Sequence, residues 1–505
     1  MKRGNIISAA VVFGFCAAPN FAQQHATQSL ATPSVSKANS SKANPEQMRL
    51  TTKSEHAREL FGQAIVLSGN YRLDECLNSL RAAVGEDATF AAGWSLLAYF
   101  ATDAHEAAEA LTHAQSLVGK TSPSEMLFVR WVAAMKHNDQ IAAISNLNDL
   151  TKRESGDKFV LYLAGHWFVD QRDQQKAVAL FEKVLVLDPE FTPVLNRLGY
   201  AYAAMGEMAY AETLMQRYVA AMPRDPNPED SYGDILFKAG RYNEAGAHFA
   251  AALKKDLSFG PSQHELGDVF AMLGNQDAAR DAYHKSALLA ANPRRSLEYR
   301  SSIALSYVRD NLYGFADREY SALVAEAKAQ KYTDLQASFH EAMALYQTDD
   351  LAAMKHLDAA EDAIRNDEDL ATVTRDEHMA VIRRWRGVRS MHAGNPAMAD
   401  VCIRVMQQKY ESTENEFIAD QLHALRGAWL LEQKKFAEAI PELQQAGDDA
   451  FSLQLLARAK GESGDAAGAE AALRQLLAIH SSTMDAVLVV EPLRQKSNVS
   501  AATSR

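Results

Sequence analysis

Cysteine is scarce in this sequence, with three residues among 505. A disulfide scaffold depends on several cysteine pairs, so that class of fold is excluded. Cys16 lies in the N-terminal apolar run, whereas Cys76 and Cys402 occupy apolar positions of predicted helices. We therefore interpret Cys76 and Cys402 as small core residues that remain unpaired.

Sequence signatures of common catalytic and metal sites are also missing. The chain contains no G-x-S-x-G, no phosphate-binding glycine loop, no H-E-x-x-H and no C-x-x-C motif. Three His-Glu pairs occur on predicted helices, at His105-Glu106, His264-Glu265 and His340-Glu341. Each lacks the second histidine of a zinc-binding helix, and we interpret all three as solvated helix faces. We therefore predict a protein that is not an enzyme and that uses neither a cofactor nor a metal ion.

Clustered positive charge is missing as well. The chain has 52 Lys and Arg against 64 Asp and Glu, which gives a formal net charge of −12. Proteins that bind nucleic acid or anionic membrane surfaces depend on blocks of basic residues. The acidic balance therefore argues against both as main partners of the chain.

What the sequence does contain is a repeat of 34 residues between positions 158 and 291. Glycine, alanine and two large residues each return at that interval, and the four series keep one register. The series are Gly165, Gly199, Gly233 and Gly267; Ala177, Ala211, Ala245 and Ala279; Phe181, Met215, Phe249 and Tyr283; and Phe168, Tyr202, Leu236 and Phe270. Several series in one register indicate a repeat protein.

Each repeat predicts two helices. In the first unit Gly165 and Phe168 lie on one helical stripe, Ala177 and Phe181 lie on the next, and Asp188-Pro189 ends it. Small residues let two helices approach closely, and the large residues fill the space around that contact. Because one pair cannot bury its own apolar face, neighbouring pairs must stack.

These residues resemble the tetratricopeptide repeat family. Its 34-residue signature has a small residue and an aromatic in the first helix, alanine and an aromatic in the second, and a proline at the exit. The matching residues are Leu198-Gly199, Tyr202, Ala211 and Pro223, then Tyr232-Gly233, Ala245, Phe249 and Ala252. The resemblance implies an all-α fold, a right-handed α-solenoid of about twelve antiparallel helix pairs over residues 49–494, clearest at 158–291.

The start of the chain has the pattern of a bacterial secretory signal peptide. In residues 1–22, Lys2 and Arg3 precede a short apolar run. Phe15 stands before Cys16, where bacterial lipoprotein signals have a small residue, which argues against a lipid anchor. We expect an exported protein, periplasmic or secreted, with no integral membrane segment after signal cleavage.

Three further segments lie outside the repeat pattern. Residues 23–48 are poor in apolar side chains and predict a disordered tether, and residues 495–505 predict a disordered tail. Residues 482–494 predict a capping helix, because an end repeat must shield one face of the core.

The concave face of the stacked first helices is the predicted binding surface. Its exposed positions in the four clear units are Tyr162, His166, Asn196, Tyr200, Asp230, Asp234, His264 and Asp268. Aromatic residues beside three carboxylates suit an extended peptide that carries lysine or arginine. Family members that hold C-terminal carboxylates of chaperones use lysine, arginine and asparagine at these places, so the acidic residues argue against a carboxylate ligand. The alternative is that these residues are ordinarily solvated and that the ligand binds elsewhere.

By resemblance, we predict a non-enzymatic scaffold or adaptor of the cell envelope that binds a protein or peptide through its concave groove. Two alternatives stay open, namely a structural subunit that self-associates and an enzymatic or glycan-handling component with a site in the groove. The partner's identity and the oligomeric state are also left open.

Overall fold

The 34-residue pattern folds into helices joined by short turns. The computed structural model describes residues 48–70, 72–101, 103–137, 139–170, 173–368 and 370–496. Within these ranges it contains twenty-four α-helices, α1 to α24, and no strand. The predicted signal peptide at 1–22, the tether before Met48 and the tail after residue 496 lie outside the described residues.

The first of two compact units ends at Pro228. It holds five consecutive helix pairs, and each pair packs on the next. The helices are α1 (Glu55–Gly69), α2 (Leu73–Glu86), α3 (Ala91–Phe100), α4 (Ala104–Leu117), α5 (Pro123–Lys136), α6 (Gln140–Arg153), α7 (Lys158–Asp170), α8 (Gln174–Leu187), α9 (Thr192–Ala204) and α10 (Met208–Ala221).

The second compact unit starts at Glu229, within α11. It continues the pairwise order and ends with a helix over residues 484–496, which includes one π-helical turn at Ala486–Val490. The helices are α11 (Asn227–Lys238), α12 (Tyr242–Lys255), α13 (Gly260–Met272), α14 (Gln276–Leu288), α15 (Pro293–Arg309), α16 (Tyr313–Ala329), α17 (Thr333–Tyr346), α18 (Asp350–Arg365), α19 (Thr372–His392), α20 (Pro396–Thr413), α21 (Glu416–Glu432), α22 (Phe436–Gln444), α23 (Ala450–Glu462) and α24 (Ala466–Leu477).

A glycine on the first helix of a clear pair makes room for the large residue of the second. A Cβ built on Gly165 would lie 2.4 Å from Cε1 of Phe181, and one on Gly267 would lie 2.4 Å from Cε1 of Tyr283. Phe181 and Tyr283 are each 1% exposed. The repeated glycines are therefore required by the close approach of an aromatic ring to the first helix.

Turn glycines form a further series at the same interval. Gly206, Gly240 and Gly274 lie between the two helices of successive pairs, with φ of 81°, 76° and 82°. Side chains with a Cβ rarely adopt this left-handed conformation, so glycine favours the tight turn. These turn glycines were not predicted from the sequence, although their 34-residue spacing is visible there.

Helix starts are marked by capping side chains. Ser54, Asp103, Ser122, Asp139 and Asp173 each accept a hydrogen bond from a backbone N–H in the first turn of the helix that follows. Such caps satisfy backbone donors that have no partner inside the helix. They fix where each helix begins.

The predicted all-α class is confirmed. The twenty-four helices of the described ranges form the twelve consecutive pairs expected of an α-solenoid, while the handedness stays a prediction. Cys76 and Cys402 are buried and free, as the sequence predicted. None of the described helices combines the length and the apolar composition that crossing a bilayer requires.

Candidate functional site

In the first unit, the surface of α7 and α9 is covered by the end of α1. A Cβ built on Gly69 would lie 2.4 Å from Cβ of Pro193 and 2.5 Å from the hydroxyl of Tyr162. Nδ2 of Asn70 donates a hydrogen bond to Oγ1 of Thr192 at 3.2 Å. The first helix pair therefore packs directly against the fourth and fifth pairs.

Four predicted binding residues lie in this unit, and two of them are buried. Tyr162 is 1% exposed and Asn196 is 0% exposed, so the expected exposure of both is wrong. His166 and Tyr200 are half-buried. The local sequence pattern places these residues beside the core stripe, but it does not show that α1 returns to cover α7 and α9.

An extended segment closes a second surface of the first unit. The backbone N–H of Met48 donates to Oδ2 of Asp157 at 2.9 Å, and that of Thr51 donates to Oε2 of Glu125 at 2.8 Å. Burial raises the pKa of both carboxyls, although these hydrogen bonds oppose the shift. The chain thus fixes its own residues 48–53 over the starts of α5 and α7.

In the second unit, the residues after α24 return to helices far earlier in the sequence. The hydroxyl of Tyr242 lies 2.5 Å from Nδ1 of His480. Arg309 on α15 pairs with Glu491 at 2.9 Å and donates to Oγ of Ser482 at 3.2 Å. These contacts join positions more than 170 residues apart in the sequence.

The C-terminal helix at 484–496 also packs through apolar side chains on two sides. Val487 belongs to the core cluster of α15, α16 and α17. Ala486, Val489 and Val490 pack with α23 and α24. This helix therefore covers the last repeat, as predicted for 482–494, and in addition ties it to α15.

A group of carboxylates, which we call the acidic cluster, lies between α11 and α13 of the second unit. Its members are Asp230, Asp234, Glu265 and Asp268. The charge of Glu265 interacts with the charge of each of the other three carboxylates. The side chains of Asp234 and Asp268 are 17% and 11% exposed. The cluster is thus largely withdrawn from water, and Asp234 is the more exposed of these two side chains.

Hydrogen bonds fix the cluster from neighbouring helices. Oγ of Ser262 donates to Oδ1 of Asp230 at 2.5 Å, and the hydroxyl of Tyr283 donates to Oδ1 of Asp268 at 2.6 Å. Nζ of Lys238, whose side chain is 39% exposed, lies 2.7 Å from Oδ2 of Asp234. The charge of Arg309 also interacts with Asp268, so the carboxylates are held by hydrogen bonds together with two neighbouring cations.

His264 and Tyr299 form an aromatic wall beside the cluster. Their rings stack with centroids 4.8 Å apart and an interplanar angle of 23°. Nε2 of His264 lies 2.9 Å from Oγ of Ser302, and Nδ1 lies 3.9 Å from Oδ2 of Asp268. The faces of aromatic rings attract cations, so this wall and the carboxylates favour the same kind of group.

Two carboxyls of the acidic cluster, those of Asp230 and Glu265, have pKa values raised above those of exposed carboxyls. Burial raises the pKa of Asp230 to about 7, with the hydrogen bond from Ser262 opposing the shift and Asp234 adding to it. Burial, followed by the charges of Asp268, Asp234 and Asp230, raises the pKa of Glu265 well above its ordinary value. Near neutral pH the cluster is therefore partly protonated and gains from an incoming positive charge.

Donor atoms for a metal ion also come together here. One ligand atom from each of His264, Glu265 and Asp268 lies within 4.8 Å of the other two. Two of these side chains already have partners, because Asp268 accepts from Tyr283 and His264 contacts Ser302. Carboxylates in such a group can bind a proton, an ammonium group or a metal ion. The geometry therefore indicates a positively charged ligand without identifying it as a metal ion.

The structure thus separates the predicted residues into two groups. It brings Asp230, Asp234, His264 and Asp268 together in the second unit, although Asp268, at 8% exposed, is buried rather than exposed as expected. Sequence reasoning missed Glu265, because the His264-Glu265 pair was interpreted as a solvated helix face, and that interpretation is wrong. The 34-residue register gives no signal for Glu265, because the equivalent residue of α11 is Ser231.

Comparison with protein families gives one match. Residues 168–229 match the model of the tetratricopeptide repeat. This match confirms the resemblance to the tetratricopeptide repeat over those residues. Repeats of this family are typically non-catalytic scaffolds that bind proteins, and the match indicates no catalytic family. No curated protein matches the chain.

Three solved structures with similar helix pairs match between a third and a half of this chain. MamA from Desulfovibrio magneticus RS-1 is 20% identical, with 33% of this chain and 94% of that chain covered and a TM-score of 0.30. A tetratricopeptide repeat protein from Parabacteroides merdae ATCC 43184 is 16% identical, with 50% and 99% covered and a TM-score of 0.35. YrrB, described as a TPR protein with an unusual peptide-binding site, is 18% identical, with 43% and 96% covered and a TM-score of 0.28.

Proposed function

We propose that this protein is a non-enzymatic scaffold of the cell envelope, and that its acidic cluster receives a lysine or arginine side chain of a partner protein or peptide. The observation that carries the proposal is the convergence of four carboxylates from α11 and α13 in a partly enclosed site. An ammonium or guanidinium group would offer several N–H donors to these oxygens.

The surroundings of the acidic cluster support a cationic side chain over other ligands. An anion would meet four carboxylates at short range, which costs free energy in a site with little water. The stacked rings of His264 and Tyr299 form an environment that attracts cations, and the guanidinium of Arg295 already lies 5.9 Å from the centroid of the Tyr299 ring. The low exposure of Asp234 and Asp268 favours a slim side chain that enters from one side over a peptide lying flat along the surface.

The raised pKa values in the acidic cluster can be explained without a catalytic role. A raised carboxyl pKa is common where an acid catalyst works, but here Asp230 and Glu265 are explained by burial and by their like-charged neighbours. In a site that binds a cation, the carboxylates are expected to repel one another until the ligand neutralises part of their charge.

Export supports the envelope assignment and is part of the proposal. It rests on the pattern of residues 1–22, where two basic residues precede a short apolar run. N-terminal sequencing of the protein purified from its native envelope should find a chain that begins at Gln23. A chain that retains Met1 would contradict export by this route.

Binding of short peptides tests the role of the acidic cluster. The probes are fluorescent peptides of neutral sequence with one central lysine, arginine, acetyl-lysine or glutamate. We expect the lysine and arginine peptides to bind the chain and the acetyl-lysine and glutamate peptides not to bind, as measured by fluorescence anisotropy at physiological salt.

A matched pair of variants separates the site from general acidity. The triple variant Asp230→Asn, Asp234→Asn, Glu265→Gln should lose binding of the lysine peptide by more than about tenfold, since a charge-assisted pair contributes roughly 1.5–3 kcal/mol. The control variant Glu244→Gln, Asp277→Asn, Asp281→Asn also removes three carboxylates from the same unit, and all three are exposed. Equal binding by the two variants would contradict the proposal.

A further inference from the structure

Two histidine side chains meet across a helix pair in the second unit, away from the acidic cluster. His340 lies on α17 and His356 on α18, and their Nδ1 atoms are 3.2 Å apart. The ring centroids are 5.5 Å apart, with an interplanar angle of 33°. His340 was interpreted from the sequence as part of a solvated helix face. That interpretation is wrong, since the ring is half-buried and faces a second imidazole.

We propose that His340 and His356 form a binding site for a divalent transition-metal ion such as zinc or copper. Imidazole nitrogen is a preferred ligand of these ions. With both Nδ1 atoms at the usual distance of about 2.05 Å from the ion, their separation corresponds to a ligand–metal–ligand angle of about 100°. This angle lies between the cis angle of square-planar copper and the tetrahedral angle of zinc.

The metal-free contact already brings the two ligand atoms together. In that state one ring donates an Nδ1–H hydrogen bond to Nδ1 of the other. When the ion binds, each ring keeps its single proton on Nε2, so the proton moves within the donating ring through solvent and none is released overall. A modest tilt of the two rings then directs both lone pairs at the ion.

Burial keeps both ligands in the form that binds metal. It lowers the pKa of His340 to about 4, with the neighbouring His356 adding to the shift. Burial also lowers the pKa of His356, although the charge of Asp317 opposes that shift. Both shifts favour the neutral imidazole, which is the form that binds a metal ion.

A neighbouring carboxylate also supports a positively charged ligand at this pair. The negative charge of Asp317, which accepts from the hydroxyl of Tyr346 at 2.8 Å, favours a cation nearby.

Titration of tag-free protein with zinc chloride, followed by isothermal calorimetry, tests this site. We expect one zinc ion per chain at this site. Because each variant removes one of two protein ligands, His340→Gln and His356→Gln should each weaken binding by more than about tenfold. His284→Gln and His392→Gln, which change exposed histidines of the same unit, should bind as the parent does.

Copper reports the number of nitrogen ligands directly. Electron paramagnetic resonance of the parent with one equivalent of Cu²⁺ should show coupling to two imidazole nitrogens, and each single variant should show one. Circular dichroism of the metal-free variants checks that they are folded. All zinc titrations are repeated in a His264→Gln background, which removes one donor of the group at the acidic cluster. The proposal is overturned if, in that background, the double variant His340→Gln, His356→Gln binds zinc as tightly as the background protein, or if the background protein binds none.

Discussion

At the scale of single residues, the acidic cluster is the feature that packing of the repeats does not require. The repeats need small and large apolar residues at fixed positions, and the second unit has them. Glu265 and Asp230, in contrast, are carboxyls withdrawn from water beside further carboxyls, which costs stability. Their cost is consistent with a role in binding a cation.

This cost predicts a pH dependence of stability. The pKa of Asp230 is raised to about 7 in the folded chain by burial, whereas an unfolded Asp titrates near about 3.9. Between these values the folded chain holds a proton that the unfolded chain has released, so the stability due to this group falls as pH rises towards 7. Asp230→Asn should therefore raise the melting temperature at pH 8 by a few degrees and leave it unchanged near pH 3.5.

Thermal unfolding followed by circular dichroism at several pH values checks this prediction. The control is Asp281→Asn, which neutralises an exposed carboxyl on α14. The control should follow the parent at every pH. A melting temperature of Asp230→Asn that falls below that of the parent at pH 8 would contradict the assignment of a raised pKa to this carboxyl.

A second residue-scale prediction concerns a repeat glycine. Gly267→Ala would place a Cβ 2.4 Å from the ring of Tyr283, whose hydroxyl donates to Asp268. The ring must shift, so we expect a loss of about 1–3 kcal/mol in the free energy of unfolding. Urea denaturation measures it.

Gly461→Ala provides the matched control for that substitution. Gly461 is also helical, but its Cβ would meet Ala469 only at an ordinary 3.8 Å. Since alanine favours helix over glycine, this variant should be as stable as the parent or more stable. Equal loss in both variants would mean that the close ring contact does not explain the repeat glycine.

Sequence reasoning reached part of the acidic cluster and could not reach the rest. Asp230, Asp234 and Asp268 were found because they lie at equivalent positions of repeats with a clear register. Their burial was not found, because it depends on Tyr283 and Tyr299, which belong to neighbouring helices. A periodic pattern shows which face of a helix a residue occupies, but it does not show what packs over that face.

At the scale of helices, the helix at 484–496 connects distant parts of the second unit in addition to covering its last repeat. Its Glu491 pairs with Arg309, whose side chain is 6% exposed. A capping helix at 482–494 was predicted because an end repeat must shield one face of the core. Its contact with α15 bridges 182 residues of sequence, and no local pattern encodes a contact of that kind.

Neutralising one partner of the ion pair between Arg309 and Glu491 should destabilise the second unit. Glu491→Gln leaves the buried guanidinium of Arg309 without its counter-charge, and we expect a loss of about 1–3 kcal/mol in the free energy of unfolding. Hydrogen exchange should accelerate across residues 484–496. Glu470→Gln breaks an exposed pair with Arg474 and should have little effect. Unchanged stability in Glu491→Gln would show that the helix is held without the ion pair.

At the scale of the whole molecule, each compact unit covers part of its helix surfaces with its own chain. In the first unit α1 covers α7 and α9, and the segment 48–53 covers the starts of α5 and α7. In the second unit residues 480–496 lie against α12 and α15. In each unit these contacts reduce the exposed surface expected from the repeat pattern, and Asp234 and Asp268 of the acidic cluster keep side chains that are 17% and 11% exposed.

The most direct test of the central claim is the affinity of the parent for the lysine peptide between pH 6 and pH 8. The peptide ammonium is charged throughout this range, whereas Asp230 loses its proton near pH 7. We predict that affinity rises about tenfold from pH 6 to pH 8, and that Asp230→Asn with Glu265→Gln binds weakly at every pH. An affinity that is independent of pH, or that is unchanged in this variant, would contradict binding at the acidic cluster.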